Sequence, residues 1–217
     1  IITVDDVIDV LQEENTEDIQ KMAAIVPTDT PYLKTSVMET FKKRIPWLLL
    51  LMISATITSQ ILTNFENKLA SVATLIAFIP MLMGTGGNSG GQSSVTIVRA
   101  LSLGEISLKD IFKVVWKEVR VGIVCGLVLA AVCFVKLLLF DKYVLGNSEI
   151  TVIISLVVSL TIVVEVVFSK VIGCCLPIIA KKCGFDPAVM ANPFITTITD
   201  AVSLLIYILF ASVLLGI

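Results

Sequence analysis

Asp200 is the residue with the clearest capacity for chemistry, because it sits inside an apolar run extending from Asn192 to Ile217. On a 3.6-residue period Thr196, Asp200, Ser203 and Tyr207 form one polar stripe, with Ile195, Ile198, Val202, Leu205 and Leu209 on the opposite side. A carboxylate at membrane depth costs roughly 2.5–3.5 kcal/mol on insertion scales, so such a residue is expected to face a cavity or an ion path. The plainer alternative is a hydrogen-bonded acid that locks two helices together; the alignment of the polar residues favours the ion path. Glu165 is the other acid well inside an apolar span. Lys170, five residues on, falls on a different helix face, and both a second ion site and a neutral packing residue fit Glu165.

A second polar feature is the run Gly84-Thr-Gly-Gly-Asn-Ser-Gly-Gly-Gln-Ser-Ser94 within an otherwise apolar stretch. It cannot face lipid. Either its backbone is locally open and lines a water-filled cavity, or close helix–helix packing covers it, as the Gly86-xxx-Gly90 and Gly87-xxx-Gly91 patterns suggest. Both together are expected: glycines permitting close approach, with Asn88, Gln92 and backbone carbonyls offering oxygen. A phosphate loop does not fit, since no Gly-Lys-Ser/Thr ending follows.

Oxygen-only ligands suit a hard cation. Mg²⁺ gives up its water shell reluctantly and is usually held by one or two carboxylates plus waters. One Asp200 is thin charge for a divalent ion, whereas two copies around a two-fold axis supply a matching charge, which argues for a homodimeric pore. A monovalent ion fits a single copy equally well. The sequence contains no histidine, which excludes within this chain a Ser-His-Asp triad, a histidine-ligated metal and a histidine switch. No nucleophile and base can be assembled, so no enzyme is expected. The five cysteines lack paired metal spacing, and the four in apolar spans are expected to act as small packing residues rather than as a disulfide framework.

These residues must be positioned by helices in a bilayer. Hydrophobic residues make up 56% of the 217 and the mean hydropathy is +0.97, well beyond a soluble domain. The expected fold class is an all-α integral membrane protein. Five spans are predicted: 45–63, 69–100, 119–140, 150–180 (with Pro177 a source of tilt or kink) and 193 onward. The expected connectors are 64–68, 101–118, 141–149 and 181–191.

Eleven basic residues gather on one side (Lys34, Lys42, Lys43, Arg44, Arg99, Lys109, Lys113, Lys117, Arg120, Lys181, Lys182) against Lys68 and Lys142 on the other, with Lys136 near its edge. That bias places the N-terminus in the cytoplasm and the C-terminus outside an inner (plasma) membrane.

The net charge of −2 conceals a split, because residues 1–21 carry seven acids and one lysine. Residues 3–14 are predicted to form a short amphipathic helix with Thr3 and Asp6 in capping-box spacing. Asp5, Asp6, Asp9, Glu13, Glu14, Glu17 and Asp18 are either a divalent-cation surface or a solvated acidic face. Thr30 and Pro31 are predicted to open a second, basic amphipathic helix running into the first span, near the membrane surface. With no signal peptide and an acidic, structured-looking start, the chain is expected to be a piece of a longer protein.

The run Pro80-Met-Leu-Met-Gly-Thr-Gly-Gly-Asn-Ser-Gly-Gly-Gln92, followed by Arg99-Ala-Leu-Ser-Leu-Gly104, resembles the second span of the MgtE-type magnesium channels. Asp186-Pro-Ala and Asn192-Pro-Phe-Ile-Thr-Thr-Ile-Thr-Asp200 resemble that family's fourth connector and fifth helix, and residues 2–18 resemble the end of its second CBS domain.

The resemblance implies a homodimer of five-helix subunits in the bilayer, with an ion path between them lined by the second and fifth helices. Residues 1–26 would be the tail of a CBS domain, 27–44 a connector helix and 45–217 the pore domain. Asp200 matches the aspartate that binds hydrated Mg²⁺ in the pore, Asn192 a polar residue lower in that path, and Asp186 an acid at its cytoplasmic mouth. The Thr196 carbonyl is a further expected contact, and Asn88 the oxygen donor of the second span. Mg²⁺ would be both the transported ion and a regulatory ligand, and no nucleic acid is involved. A secondary transporter exchanging a divalent cation for Na⁺ or H⁺, with Glu165 as carrier, is the alternative.

Overall fold

The computed structural model describes residues 3–28, 30–70, 72–190 and 192–216, without the side chains of 67–70 and 192. Every regular element among the described residues is a helix, with no strand among them. The elements are α1 (Val4–Met22), α2 (Val37–Ala70), α3 (Ile79–Ser102), α4 (Ile111–Val135), α5 (Val152–Lys182) and α6 (Asn192–Leu215).

Helix α1 begins at the predicted cap. Thr3 Oγ1 accepts from Asp6 N at 3.3 Å while Thr3 N donates to Asp6 Oδ2 at 2.8 Å, the reciprocal bonds of a capping box. It then runs past residue 14 to Met22, because nothing in Asn15–Lys21 breaks a helix.

The second helix departs from expectation. Pro31 is followed only by a 3₁₀ turn, Tyr32–Lys34, and α2 starts at Val37, where Ser36 Oγ accepts from Glu39 N at 3.2 Å. From there the predicted second helix and the predicted first span are one 34-residue helix with Pro46 inside it.

The glycine run also resolves one way. It lies within the unbroken helix α3, so the locally open backbone expected there is not present. Its glycines serve close packing instead. A Cβ added to Gly90 would lie 2.7 Å from Ile195 Cγ2 and 3.0 Å from the Ser169 carbonyl, and one added to Gly173 of α5 would collide with the Gly90 backbone. No side chain fits between α3, α5 and α6 at that level.

Helix α5 packs against α3, α4 and α6, and α2 packs on α6. The main core combines Leu82, Leu137, Val157, Val158, Val166, Leu204 and Tyr207. Helix α3 ends with Gly104 at φ +69° and α5 with Gly184 at φ +81°, the left-handed positions that close a helix C-terminus. The third span extends through a π-helical stretch, Lys136–Val144, where Lys136 Nζ pairs with the buried Asp141 at 2.7 Å. Its start also differs from expectation. Glu118, assigned by sequence to a connector, is buried inside α4 and accepts from Ser93 Oγ at 2.5 Å.

Among the described residues, four helical stretches are long and apolar enough to cross a membrane: 37–66, 108–144, 152–182 and 187–215. Helix α3 is not one of them by composition, since glycine, serine, asparagine and glutamine dilute its apolar content. Its length, about 36 Å for 24 residues, would still cross a hydrocarbon core.

Candidate ion site

Helix α6 positions Asp200 by starting at Asn192–Pro193, where proline loses no intrahelical donor, and by locking its first turns through threonine hydroxyls. Thr196 Oγ1 and Thr197 Oγ1 donate to the Pro193 carbonyl at 2.9 and 3.0 Å, and Thr199 Oγ1 donates to the Ile195 carbonyl at 2.8 Å. These bonds absorb hydroxyls that would otherwise be orphaned in an apolar setting. Trp47 of α2 meets Phe194 edge-on, ring centroids 5.6 Å apart, tying the start of α6 to the first span.

The predicted stripe divides in two. Thr196 and Asp200 are half-buried, and among the described residues Asp200 has neither hydrogen-bond nor ion-pair partner. Ser203 and Tyr207 are fully buried, with Tyr207 Oη donating to the Leu75 carbonyl at 2.9 Å. The opposite side divides as well. Ile198, Leu205 and Leu209 are exposed, whereas Ile195 is fully buried against Gly90.

Asn88 and Gln92 lie on an exposed face of α3 together with Thr96 and Arg99, one polar strip on the outside of the single chain. Gly87 beside Asn88 abuts Thr196: a Cβ there would lie 3.0 Å from Thr196 Cγ2. The structure therefore brings the Asn88 turn of α3 to the level of Thr196, one turn from Asp200. The Thr196 carbonyl already accepts from Thr199 Oγ1 at 3.0 Å, so an ion contact there would share its oxygen. Asn192 opens α6, but its side chain lies outside the described residues.

Asp186 is apart from this group, in the turn before the short helix Pro187–Met190 and outside α6. Its Oδ1 accepts from Ala188 N at 2.8 Å and its Oδ2 from Lys21 Nζ at 2.6 Å. The sequence reading passed over Lys21, and no local pattern could have paired residues 165 positions apart. It also passed over Ser169 and Ser203 as neighbours of Glu165, which is fully buried on α5. No cluster of three or more acidic, cysteine or histidine side chains suited to a metal occurs among the described residues of the single chain.

The profile of MgtE, described as a divalent cation transporter, matches residues 79–210, from the first residue of α3 to near the end of α6. The chain belongs to the MgtE family. It is 38% identical over 215 residues to the magnesium transporter MgtE of Thermus thermophilus, an alignment covering 99% of this chain and 46% of that protein. It is 36% identical over 207 residues to the MgtE of Bacillus subtilis, covering 95% and 44%, and 30% identical over 212 residues to that of Enterococcus faecalis, covering 98% and 44%. The chain thus spans less than half the length of these curated relatives and corresponds to the family's membrane-embedded part. All three are named as transporters.

Proposed function

We propose that this chain forms, as a homodimer, the pore of a channel that admits Mg²⁺ down its electrochemical gradient. The observation that carries this reading is Asp200: a half-exposed carboxylate without a partner, at membrane depth, beside a strip of exposed amides on α3. Polar groups on the outside of a single helical bundle are costly against lipid. A second copy facing that strip would cover it and place two Asp200 carboxylates on one axis. Thr196 and Asn88 would contact the hydrated ion, Asn192 would lie lower in the path, and Asp186 would stand at the cytoplasmic mouth.

In this reading α2 crosses first from a cytoplasmic N-terminus, α3 completes a set of five spans, and the C-terminus lies outside. Residues 1–26 are the tail of a CBS sensor and 27–44 its connector to the pore, so that cytoplasmic Mg²⁺ regulates opening. Single-channel recording of the whole protein in bilayers tests it: unitary Mg²⁺ currents that disappear with Asp200→Ala are the expected result, and currents at the parent level would refute it. A divalent-cation exchanger is the second reading, favoured by the fully buried, unpaired Glu165; strict dependence of flux on Na⁺ or H⁺ would select it.

A further inference from the structure

Glu165 has 0% exposure, and its carboxylate oxygens, close to the Ser203 hydroxyl and the Gly86 amide, form no hydrogen bond of good geometry with either. Ser169, one turn later on α5, and Ser203 on α6 are also buried, and their hydroxyls likewise make no hydrogen bond of good geometry. The three converge over Gly86 of α3. A Cβ built on Gly86 would lie 2.5 Å from Glu165 Oε1, 2.6 Å from Ser203 Oγ and 3.1 Å from Ser169 Oγ. Three oxygens from two helices therefore converge on the bare face of Gly86, closer than any side chain at residue 86 would allow.

Buried polar atoms in native structures have partners, and a group of orphaned oxygens marks a place where an ion or water belongs. An isolated carboxylate in so dry a place is strongly disfavoured unless a positive charge joins it. Among the described residues, no cation pairs with it. Lys170 is also buried, but it lies toward α4, with its Cδ 3.6 Å from where a Cβ on Gly122 would stand.

We propose that Glu165, Ser169 and Ser203 form a site for a small dehydrated monovalent cation, Na⁺ in kind, at the junction of α3, α5 and α6. One carboxylate balances one charge. A divalent ion would leave the dry site net positive, and Mg²⁺ would also have to shed a water shell that it holds strongly. Carboxylate and hydroxyl oxygens are hard ligands, which suits an alkali cation. The site is separate from Asp200, which lies one turn earlier on α6, and it stands whether or not Asp200 lines a pore. A cation there would clamp α5 to α6 and to the glycine face of α3.

The experiment is equilibrium binding of radiolabelled Na⁺ to the whole purified protein in lipid nanodiscs, without Mg²⁺, with unlabelled Na⁺ or choline as competitor. Saturable binding displaced by Na⁺ and not by choline is expected. Glu165→Gln should weaken it about tenfold or more and Ser203→Ala severalfold, since bonds to a charged group are the stronger class. Asp200→Asn should bind as the parent does, which separates this site from the proposed pore. Absence of saturable binding in the parent, retention of parental affinity in Glu165→Gln, or loss in Asp200→Asn instead would each overturn the proposal. So would an infrared band of a protonated carboxylic acid in the Na⁺-saturated parent that Glu165→Gln removes, because a proton would then hold the place. If Glu165→Gln does not assemble, Ser169→Ala and Ser203→Ala decide: weakened binding supports the site, and parental affinity in both refutes it.

Discussion

Lys21 Nζ lies 2.6 Å from Asp186 Oδ2, joining the last turn of α1 to the turn before α6 across 165 residues of chain. The same ammonium pairs with Glu17. The hydrogen bond to Asp186 is the largest reason that the Lys21 ammonium is held well above its usual value, with Glu17 second. Asp18 beside it is pushed up, first by burial and then by the Asp186 charge. One lysine thus holds together acids that would otherwise repel, at the point where the acidic N-terminal helix touches the polypeptide leading into α6.

Removing that lysine should loosen the contact. A partly exposed ion pair is worth about 0.2–1 kcal/mol, so Lys21→Ala should shift docking of α1 by up to about fivefold. Spin labels on α1 and on the 186–190 turn would read this as a broader, longer distance distribution; an unchanged distribution would refute it. Lys21, raised when docked, contributes fully below its ordinary value and loses its contribution only as pH climbs through the raised one. Its pairing is therefore constant through neutral pH.

Asp18 runs the other way. Its raised value means that the docked state takes up a proton more readily than the free one, so docking strengthens as pH falls through the raised value. Asp18→Asn should strengthen docking at neutral pH and remove this part of the acid response. The same spin-label pair read across a pH series checks it, and identical pH curves for parent and variant would count against it.

The Gly90–Gly173 contact predicts a sharp contrast between glycines. Gly173→Ala would drive a methyl into the Gly90 backbone, whereas a Cβ on Gly84 of the same packed pair of helices meets nothing within 4 Å. Gly84→Ala should therefore keep or raise thermal stability, by at most about 1 kcal/mol from helix propensity. Gly173→Ala should cost about 1–3 kcal/mol by overpacking. Thermal unfolding followed by fluorescence-detected size exclusion distinguishes them; equal melting temperatures would mean that the seam has slack.

Elements with local signals were the legible ones. Thr3 with Asp6 announced the start of α1, because caps act within four residues, and the apolar run announced α6. The helix period placed Asp200 with Thr196. What a stripe faces is not written in its own helix, however. Gly86 and Gly87 of α3 meet the Ser203 and Thr196 levels of α6, and α5 closes over the former, so Ser203 turned inward while Asp200 stayed half-exposed. Glycine was ambiguous for a physical reason: it permits both an open backbone and close approach, and the neighbouring helices made the choice. Pro31 misled because proline tolerates a helix start without requiring one, and Ser36 offered the working cap.

At Asp200 the prediction separates folding from conduction. Asp200→Ala removes a membrane-embedded charge from a half-buried position and opens no core cavity, so assembly and melting temperature should be kept. If two copies form one divalent site, both vanish together, and Mg²⁺ uptake into proteoliposomes should fall to background. Uptake at the parent rate would show that the ion path lies elsewhere.

Regulation yields the last prediction, from the way α1 and α2 are joined. Lys43 Nζ bonds Thr28 Oγ1 at 2.5 Å and Glu39 at 2.8 Å, and Val26 N donates to the Lys43 carbonyl at 3.1 Å, so the segment after α1 is fastened to the start of α2. Helix α2 then reaches α6 through Trp47 and Phe194. Any load applied by a cytoplasmic sensor would travel this path, with a coupling of about 1–3 kcal/mol typical for such devices. Residues 1–217 alone hold less than half the length of the relatives they match. In patch recordings with Mg²⁺ titrated on the cytoplasmic face, these residues alone should conduct with little inhibition at millimolar concentration, whereas the whole protein should close. Superimposable inhibition curves would place the sensor within residues 1–217, and the Lys21–Asp186 junction with Asp18 would be the first place to mutate.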